Sequence, residues 1–383
     1  MEVLMITQDM NVLREGSVEQ SMLKEYAQDV RRLVVLVLNT HGDHYKPQKI
    51  SDSLWIIPCN SWFKIMCPFS ALSIARRELF FQGRMQTDVC TGQDTGLAGF
   101  SAWIIALSFK RPLHLHVQEN LFSPVFIRGS FYNWIRYRIA RFLLLSADGV
   151  RATSEGIRAA LADFDTPLAD RVVVTPDLID THAIQDEPLR VDLRAKYPQF
   201  TFIILVVAPL TKSQNVQTAV NIFAKIHHAY PHVGLVIVGE GPQHKHIIRL
   251  THDLNIAESV VFEKPNNNMT SYYKTAQVLL VTALYEVDSK VITGAAAASC
   301  MIASSKVGIV TEIFEHDVSA FLCDPEDIQT YVQPILKSIH IPGLREKIRL
   351  NGMLAIMNRS DTNKSAYIKT YCDSWQKAID LGK

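Results

Sequence analysis

The sequence predicts an α/β protein of two doubly wound domains, each a mostly parallel sheet covered by helices. Short apolar runs alternate with helical segments along most of the chain, the pattern of strand, helix and crossover. Several runs, such as Leu33–Leu38, are unbroken valine and leucine, as expected of strands buried on both faces. At 383 residues the chain is long enough for two or three domains with full cores. The alternation breaks at Pro176-Asp177 and the charged, proline-containing run Gln185–Pro198, which read as the linker, and then starts again.

Composition narrows the function classes. With 39 basic and 38 acidic residues the net charge is +1, so there is no basic excess to favour nucleic acid as a partner. Cys59, Cys67, Cys90, Cys300, Cys323 and Cys372 form no CxxC pair. They read as reduced core thiols of a cytoplasmic protein, not a disulfide frame or metal site. The opening MEVLMITQDM lacks the basic start and long apolar core of a signal peptide. No stretch approaches the roughly 18 consecutive apolar residues of a membrane span. The expectation is a cytoplasmic protein, at most peripheral to the inner face of a membrane.

In order, Val3–Ile6 is a strand, Gly16 opens a loop, and Ser17–Asp29 is helical. Leu33–Leu38 and Leu54–Pro58 are strands, and Ala71–Phe81 is helical. Val89 begins a short strand, followed by helix Leu97–Phe109, strand Leu113–Val117 and helix Tyr132–Leu145. Gly149–Thr153 and Arg171–Thr175 close this half. The second half runs through strand Thr201–Val207, helix Val216–His228, strand Val233–Val238, helix His244–Leu254 and strand Val260–Phe262. Helices Ile328–Ile339, Leu344–Asn351 and Ala366–Leu381 end the chain. The domain limits read as 1–185, rejoined by a carboxyl-terminal helix 362–383, and 186–361.

One stretch organises the second half. Apolar Val278–Val281 ends in the polar elbow Tyr285-Glu286-Val287-Asp288-Ser289. Alanine-rich Lys290–Ser299 follows, then a second apolar run, Met301–Ala303. Alanine favours helix, and Ser289 is placed to cap it, so the stretch reads as strand, elbow, helix, strand. Ligands of open parallel sheets sit off the carboxyl ends of strands, which makes Glu286 a candidate site residue. Two such halves with a cleft between them suit a ligand that touches both.

The chain resembles glycosyltransferase family 4, retaining enzymes of the two-domain GT-B fold. The resemblance is carried by Val238-Gly239-Glu240-Gly241-Pro242, Ser271-Tyr272-Tyr273-Lys274-Thr275-Ala276, Leu284-Tyr285-Glu286 and Val307-Gly308-Ile309-Val310-Thr311-Glu312. In the first half it rests on Gln93-Asp94, Phe122-Ser123-Pro124, Thr153-Ser154-Glu155 and Val174-Thr175-Pro176-Asp177. It implies two Rossmann-like domains facing each other across a cleft, an amino-terminal acceptor side and a carboxyl-terminal donor side. The donor it implies is a UDP- or GDP-hexose. The acceptor is a saccharide or lipid-linked molecule, and there is no tightly bound cofactor or metal. It places Glu286 on the donor sugar and Gln118 where the family has a catalytic His. Donor binding falls to Gly16, Lys212, Gln214, Lys290, Gly239 and Glu312.

The family pattern is broken at its charged positions. A diphosphate leaving group needs cations or oriented amides to carry its developing charge, yet Pro209 stands at the family's Arg position and Gln214 at its Lys position. Gly294 replaces the second glutamate of the donor pair, and Asn120 replaces an aspartate. The family's glycine-rich loop is here Val287-Asp288-Ser289, whose side chains are expected in donor space. Lys212, Lys290 and Lys306 are candidate replacements for the lost cations. These losses point to a pseudo-glycosyltransferase that binds a glycan or an active transferase partner as scaffold or regulator. The alternative is an active retaining hexosyltransferase.

Other motifs have plainer readings. Gly239 and Gly241 lack the third glycine of a dinucleotide fingerprint. His114 with His116, and His244 with His246, are hydrogen-bonded or solvated histidines rather than a closed metal site. Thr40-His41-Gly42-Asp43-His44 resembles metal-hydrolase motifs, but Asn39 stands where their first His would be. Gly294 reads as close packing of a helix on the sheet. The basic, aromatic run Arg128–Arg141 is an ordinary surface helix or a contact for anionic lipid. Trp62, Phe63 and Phe69 leave open a lipid or acceptor groove and core packing.

Overall fold

In a computed structural model, which describes residues 1–40, 42, 45–77, 86–360 and 364–382, the chain adopts the expected class. It forms two α/β domains around parallel sheets. By its contacts it divides into Met1–Pro176 with Asn363–Lys383, and Asp177–Thr362. The division falls at Pro176-Asp177, one of the two stretches expected as linker, rather than after residue 185. The run expected as a linker holds helix Leu193–Lys196. Leu193 is fully buried, and Lys274 Nζ donates to the carbonyls of Gln185 and Glu187. Its charge misled: Lys196 pairs with Glu263 (2.7 Å) inside the second unit.

The first unit is built on eight strands: β1 Glu2–Thr7, β2 Arg32–Val37, β3 Gln48–Lys49, β4 Leu54–Pro58, β5 Val89–Gly92, β6 Leu113–Val117, β7 Gly149–Ala152 and β8 Val172–Val174. Their order is β3-β4-β2-β1-β5-β6-β7-β8, and β3, absent from the sequence reading, is antiparallel to β4. The order reverses between β1 and β5. There Gln8 donates to Asp94 (2.7 Å), and the other Asp94 oxygen accepts the amides of Gly96, Ala98 and Gly99, which starts helix Leu97–Phe109. The helix expected over Ala71–Phe81 instead starts at Cys67, with Pro68 in its first turn, and runs to Ile74. Residues 78–81 lie outside the described residues, as do His41, Asp43 and His44. Sequence reading also passed over helix Glu155–Phe164, which Ser154 caps through the Ile157 amide (3.2 Å).

The second unit has six strands, all parallel: β9 Phe202–Val207, β10 Val233–Val238, β11 Val260–Glu263, β12 Val278–Val281, β13 Met301–Ser305 and β14 Phe321–Cys323. Their order is β11-β10-β9-β12-β13-β14, so the chain reverses between β9 and β12. All six cysteines are free and buried. Burial pushes the Cys59, Cys90, Cys300, Cys323 and Cys372 thiols up to about 12, which keeps them protonated and unreactive. Among the described residues no helix is long and apolar enough to cross a membrane, and no cluster of three metal-ligating side chains occurs.

Candidate functional site

Three loops meet at the carboxyl edge of the second sheet, at the point where strand order reverses between β9 and β12. This is where ligands of such sheets bind. The loop after β9 (208–215) is tied to the loop after β12 by the Leu284 amide, which donates to the Ser213 carbonyl (2.9 Å). The Thr282 hydroxyl completes the link on the carbonyls of Gln214 (3.3 Å) and Asn215 (3.0 Å). Ser305 Oγ, at the end of β13, donates to the Ala283 carbonyl (2.7 Å). Asn215 takes the left-handed conformation (φ 50°) that turns the chain into helix Val216–Ala229.

Gly239 supports this cluster from β10. A Cβ there would lie 2.0 Å from the Ala208 carbonyl oxygen, so only glycine lets the two loops close. Leu210 and Glu240, then Gln243 and Leu210, are joined by backbone hydrogen bonds of 2.9 Å. Gly239 therefore serves the candidate site by packing.

Glu286 is half-buried on the elbow, and its Oε1 accepts the Val287 amide (3.3 Å). Its carboxylate rests on Gly308, where a Cβ would fall 1.9 Å from Oε1. Gly308 is also left-handed (φ 54°), so two independent constraints exclude a side chain there. Gly308→Ala is expected to destabilise the second unit by about 1–2 kcal/mol. In a Glu286→Ala background only the left-handed cost of about 1 kcal/mol should remain. Urea denaturation of the four proteins measures this coupling, and strict additivity would refute the seat.

Several expectations about the elbow are corrected. Ser289 does not cap the following helix, Ser289–Ala297; Asp288 does, through the Lys290 amide (2.9 Å). Ser289 Oγ instead donates to Asp177 (2.7 Å). Val287 does not stand in ligand space, since it is 8% exposed within the hydrophobic cluster of Tyr273, Ala283 and Ile292. Gly294 faces the ring of Tyr273, on helix Met269–Thr275, at ordinary contact distance (3.4 Å), not the sheet. Glu312, past β13 and outside the elbow, pairs with Arg359 (3.6 Å), which also donates to the Glu312 carbonyl (3.1 Å); the pair says nothing against its expected place at the donor. The sequence carried no signal for that pair, since 47 residues separate the partners.

Of the remaining candidates, Lys212 is exposed and Gln214 half-buried, both within loop 208–215, and Lys290 is exposed on the first turn of its helix. Pro209 is exposed in the same loop. Thus Glu286, Gln214, Lys212 and Gly239 belong to one loop cluster. Gly16 and Gln118 belong to the first unit. Gly16 is exposed and left-handed (φ 77°) in the turn before helix Val18–Asp29, which Ser17 caps through Gln20. Gln118 is exposed just past β6, its amide 3.4 Å from His116 Nδ1.

Beneath Gln118 lies a polar core that the sequence did not reveal. His114 and His116 are buried rather than solvated. His114 Nδ1 bonds the Thr91 hydroxyl (2.8 Å), and His116 bonds Gln93 (3.2 Å). Arg151, 1% exposed, donates to His116 Nε2 and to the Thr175 carbonyl (2.6 Å), and lies 4.5 Å from the Tyr371 ring centre. Burial, then the Arg151 charge, lowers both histidines, His114 to about 3.

The loop cluster around Glu286 falls inside a segment shared with known proteins. Residues 194–354, which take in every one of these loops, match the family model for glycosyl transferases group 1. A phosphatidylinositol N-acetylglucosaminyltransferase chain of Arabidopsis thaliana is 25% identical over 52% of this chain and 43% of its own. N-acetyl-alpha-D-glucosaminyl L-malate synthase of Bacillus anthracis is 26% identical over 33% of this chain and 32% of its own. The matched segments thus span less than half the length of these curated relatives. Among solved structures, HepE of Anabaena with UDP-glucose superposes with a TM-score of 0.76 at 17% identity, covering 98% of this chain and 100% of that one. Sucrose-phosphate synthase from Thermosynechococcus elongatus gives 0.77 at 15% identity, covering 98% of each chain. The architecture is that of the GT-B glycosyltransferases.

Proposed function

We propose that the protein is a family 4-like member of the GT-B glycosyltransferases, acting in glycan or glycoconjugate assembly, whose donor site has lost its phosphate-neutralising cations. It binds a nucleotide sugar weakly, transfers slowly or not at all, and serves as a scaffold or regulator beside an active transferase. One observation carries this reading. In loop 208–215, held in place by Thr282 and Leu284, Pro209 is exposed and Gln214 half-buried, and these are the two residues that the sequence resemblance sets at the family's two cation positions. Meanwhile the sugar-facing Glu286 keeps its seat on Gly308. Each charge-assisted hydrogen bond to phosphate is worth about 1.5–3 kcal/mol, so the loss of two removes most of the grip on a diphosphate. HepE, solved with UDP and with UDP-glucose, supports a UDP-hexose ahead of a GDP-hexose. The name of the Arabidopsis relative supports a lipid-linked acceptor over a free saccharide, which would bring a cytoplasmic protein to the inner face of a membrane.

Calorimetry and nucleotide release with UDP, UDP-glucose, UDP-N-acetylglucosamine and GDP-mannose test the proposal. The expected result is millimolar or weaker binding without turnover. Pro209→Arg with Gln214→Lys should tighten UDP by about 10-fold or more per cation, roughly 1.4 kcal/mol each. Exposed Lys212 and Lys290 support a second reading, an active retaining hexosyltransferase with substitute cations. Micromolar binding with turnover, lost in Glu286→Ala and Lys290→Ala, would establish that reading and end the first.

A further inference from the structure

We infer that Asp288 sets which ligands the elbow accepts: its carboxylate holds the position at the head of helix Ser289–Ala297 that a ligand phosphate would need, and turns phosphate away. The helix follows β12 at the point where strand order reverses, the place where a phosphate of a bound ligand meets the first amides of a helix. Here Asp288 uses those amides itself. Its Oδ1 accepts the Lys290 amide (2.9 Å), and its carbonyl accepts those of Val291 (3.1 Å) and Ile292 (3.4 Å). The negative charge that a helix amino terminus favours is thus already supplied by the chain. Asp288 is exposed, so its carboxylate stands in solvent, where a ligand arrives, rather than in the core.

The neighbouring side chain acts in the same direction. Ser289 is the next polar group at the head of the helix, and its hydroxyl is the kind of donor that a phosphate uses. It donates instead to Asp177 (2.7 Å), which brings a second carboxylate to the first turn from 112 residues away. Of the three side chains expected in donor space, Val287 is buried and Ser289 is bonded to Asp177, which leaves Asp288 to meet a ligand. An ionised phosphate offers only acceptors, as a carboxylate does, so the two cannot bond each other, and their charges repel. Lys290, exposed on the same turn, carries the opposite charge, and Asp288 offsets it. The inference rests on the donor site proposed above and adds to it. Pro209 and Gln214 remove attraction, whereas Asp288 supplies a repulsive element of the kind that discriminates between ligands.

Calorimetry of the full chain with UDP and with uridine, which lacks the phosphates, tests it. Asp288→Asn and Asp288→Ser both keep a capping side chain and remove the charge, so the melting temperature should change little. Each should tighten UDP about 10-fold at low salt and leave uridine unchanged. The ratio of variant to parent should approach one near about 1 M salt, where charges are screened within about 3 Å. The gain is read in the natural chain and in the Pro209→Arg with Gln214→Lys background, where UDP affinity is expected to be higher. No gain over the parent in that background, absence of measurable UDP binding there included, would overturn the inference. So would an equal gain for uridine, or a gain that high salt leaves intact, since either assigns the change to shape rather than charge. Micromolar UDP binding by the natural chain would end the weak-donor reading alone, because Asp288 is judged by the ratio of each variant to its parent.

Discussion

Trp375→Ala is expected to destabilise the first unit by about 3–5 kcal/mol. Trp375 is fully buried on helix Lys364–Leu381, which packs on helix Val18–Asp29 and on β5, β6 and β7. Its ring meets Tyr371 edge-on at 5.1 Å and Tyr26 at 6.0 Å, within a cluster that includes Val3, Met5, Val35 and Val37. The approach is close because β7 opens with Gly149, where a Cβ would lie 2.6 Å from that of Ala378. The indole N–H has no acceptor among the described atoms, so the ring contributes by packing alone. Trp375→Phe, which removes the unsatisfied donor and keeps an aromatic ring, should therefore cost only about 1 kcal/mol. Urea unfolding of the two variants separates the cases. Equal losses would show that aromatic packing, which Phe retains, is not what Trp375 contributes.

Acidification should weaken the same unit well above the range where carboxylates titrate. His114 and His116 are held neutral in the fold by burial and by the Arg151 charge, His114 at about 3, whereas an unfolded histidine titrates near about 6.5. Below that value the unfolded chain takes up two protons that the folded chain refuses, so the contribution is intact above about 6.5 and declines as pH falls. The slope approaches about 2.7 kcal/mol per pH unit for two protons, or about 4 kcal/mol between pH 7 and 5. The carboxylates of Asp52, Glu263 and Glu346, whose pKa values are lowered by their cationic and hydroxyl partners, lose their contribution only at lower pH. Urea midpoints at pH 7, 6 and 5 give the slope, and His114→Asn should halve it. A flat profile would mean that the buried pair does not exclude protons.

How far the sequence spoke depended on whether the deciding interaction was local. Val278–Val281 was recognisable as a strand from four apolar residues between polar neighbours, and the structure keeps those bounds. The first helix was read as Ser17–Asp29, and in the structure Ser17 stands one place outside it and caps it through its hydroxyl. Glu286 was legible as a site candidate because strand ends are where loops of such sheets face ligands. The helix cap at the elbow was misplaced by one residue. Asp288 and Ser289 are both competent caps, and the choice was made by Asp177, which draws off the Ser289 hydroxyl across 112 residues. Val287 looked like an obstruction because its environment was unknown, and an apolar side chain beside a hydrophobic cluster turns into it.

By itself the sequence determined the two α/β halves and nearly every strand and long helix. Those depend on apolar period, helix propensity and capping over a few neighbouring residues. Only the tertiary structure decided that Glu312 is held by Arg359, that Gly239 exists to admit Ala208, and that Arg151 lies beneath His116. Each joins segments remote in the chain. Which buried donor meets which acceptor follows from how sheets and helices stack, and no local preference encodes that.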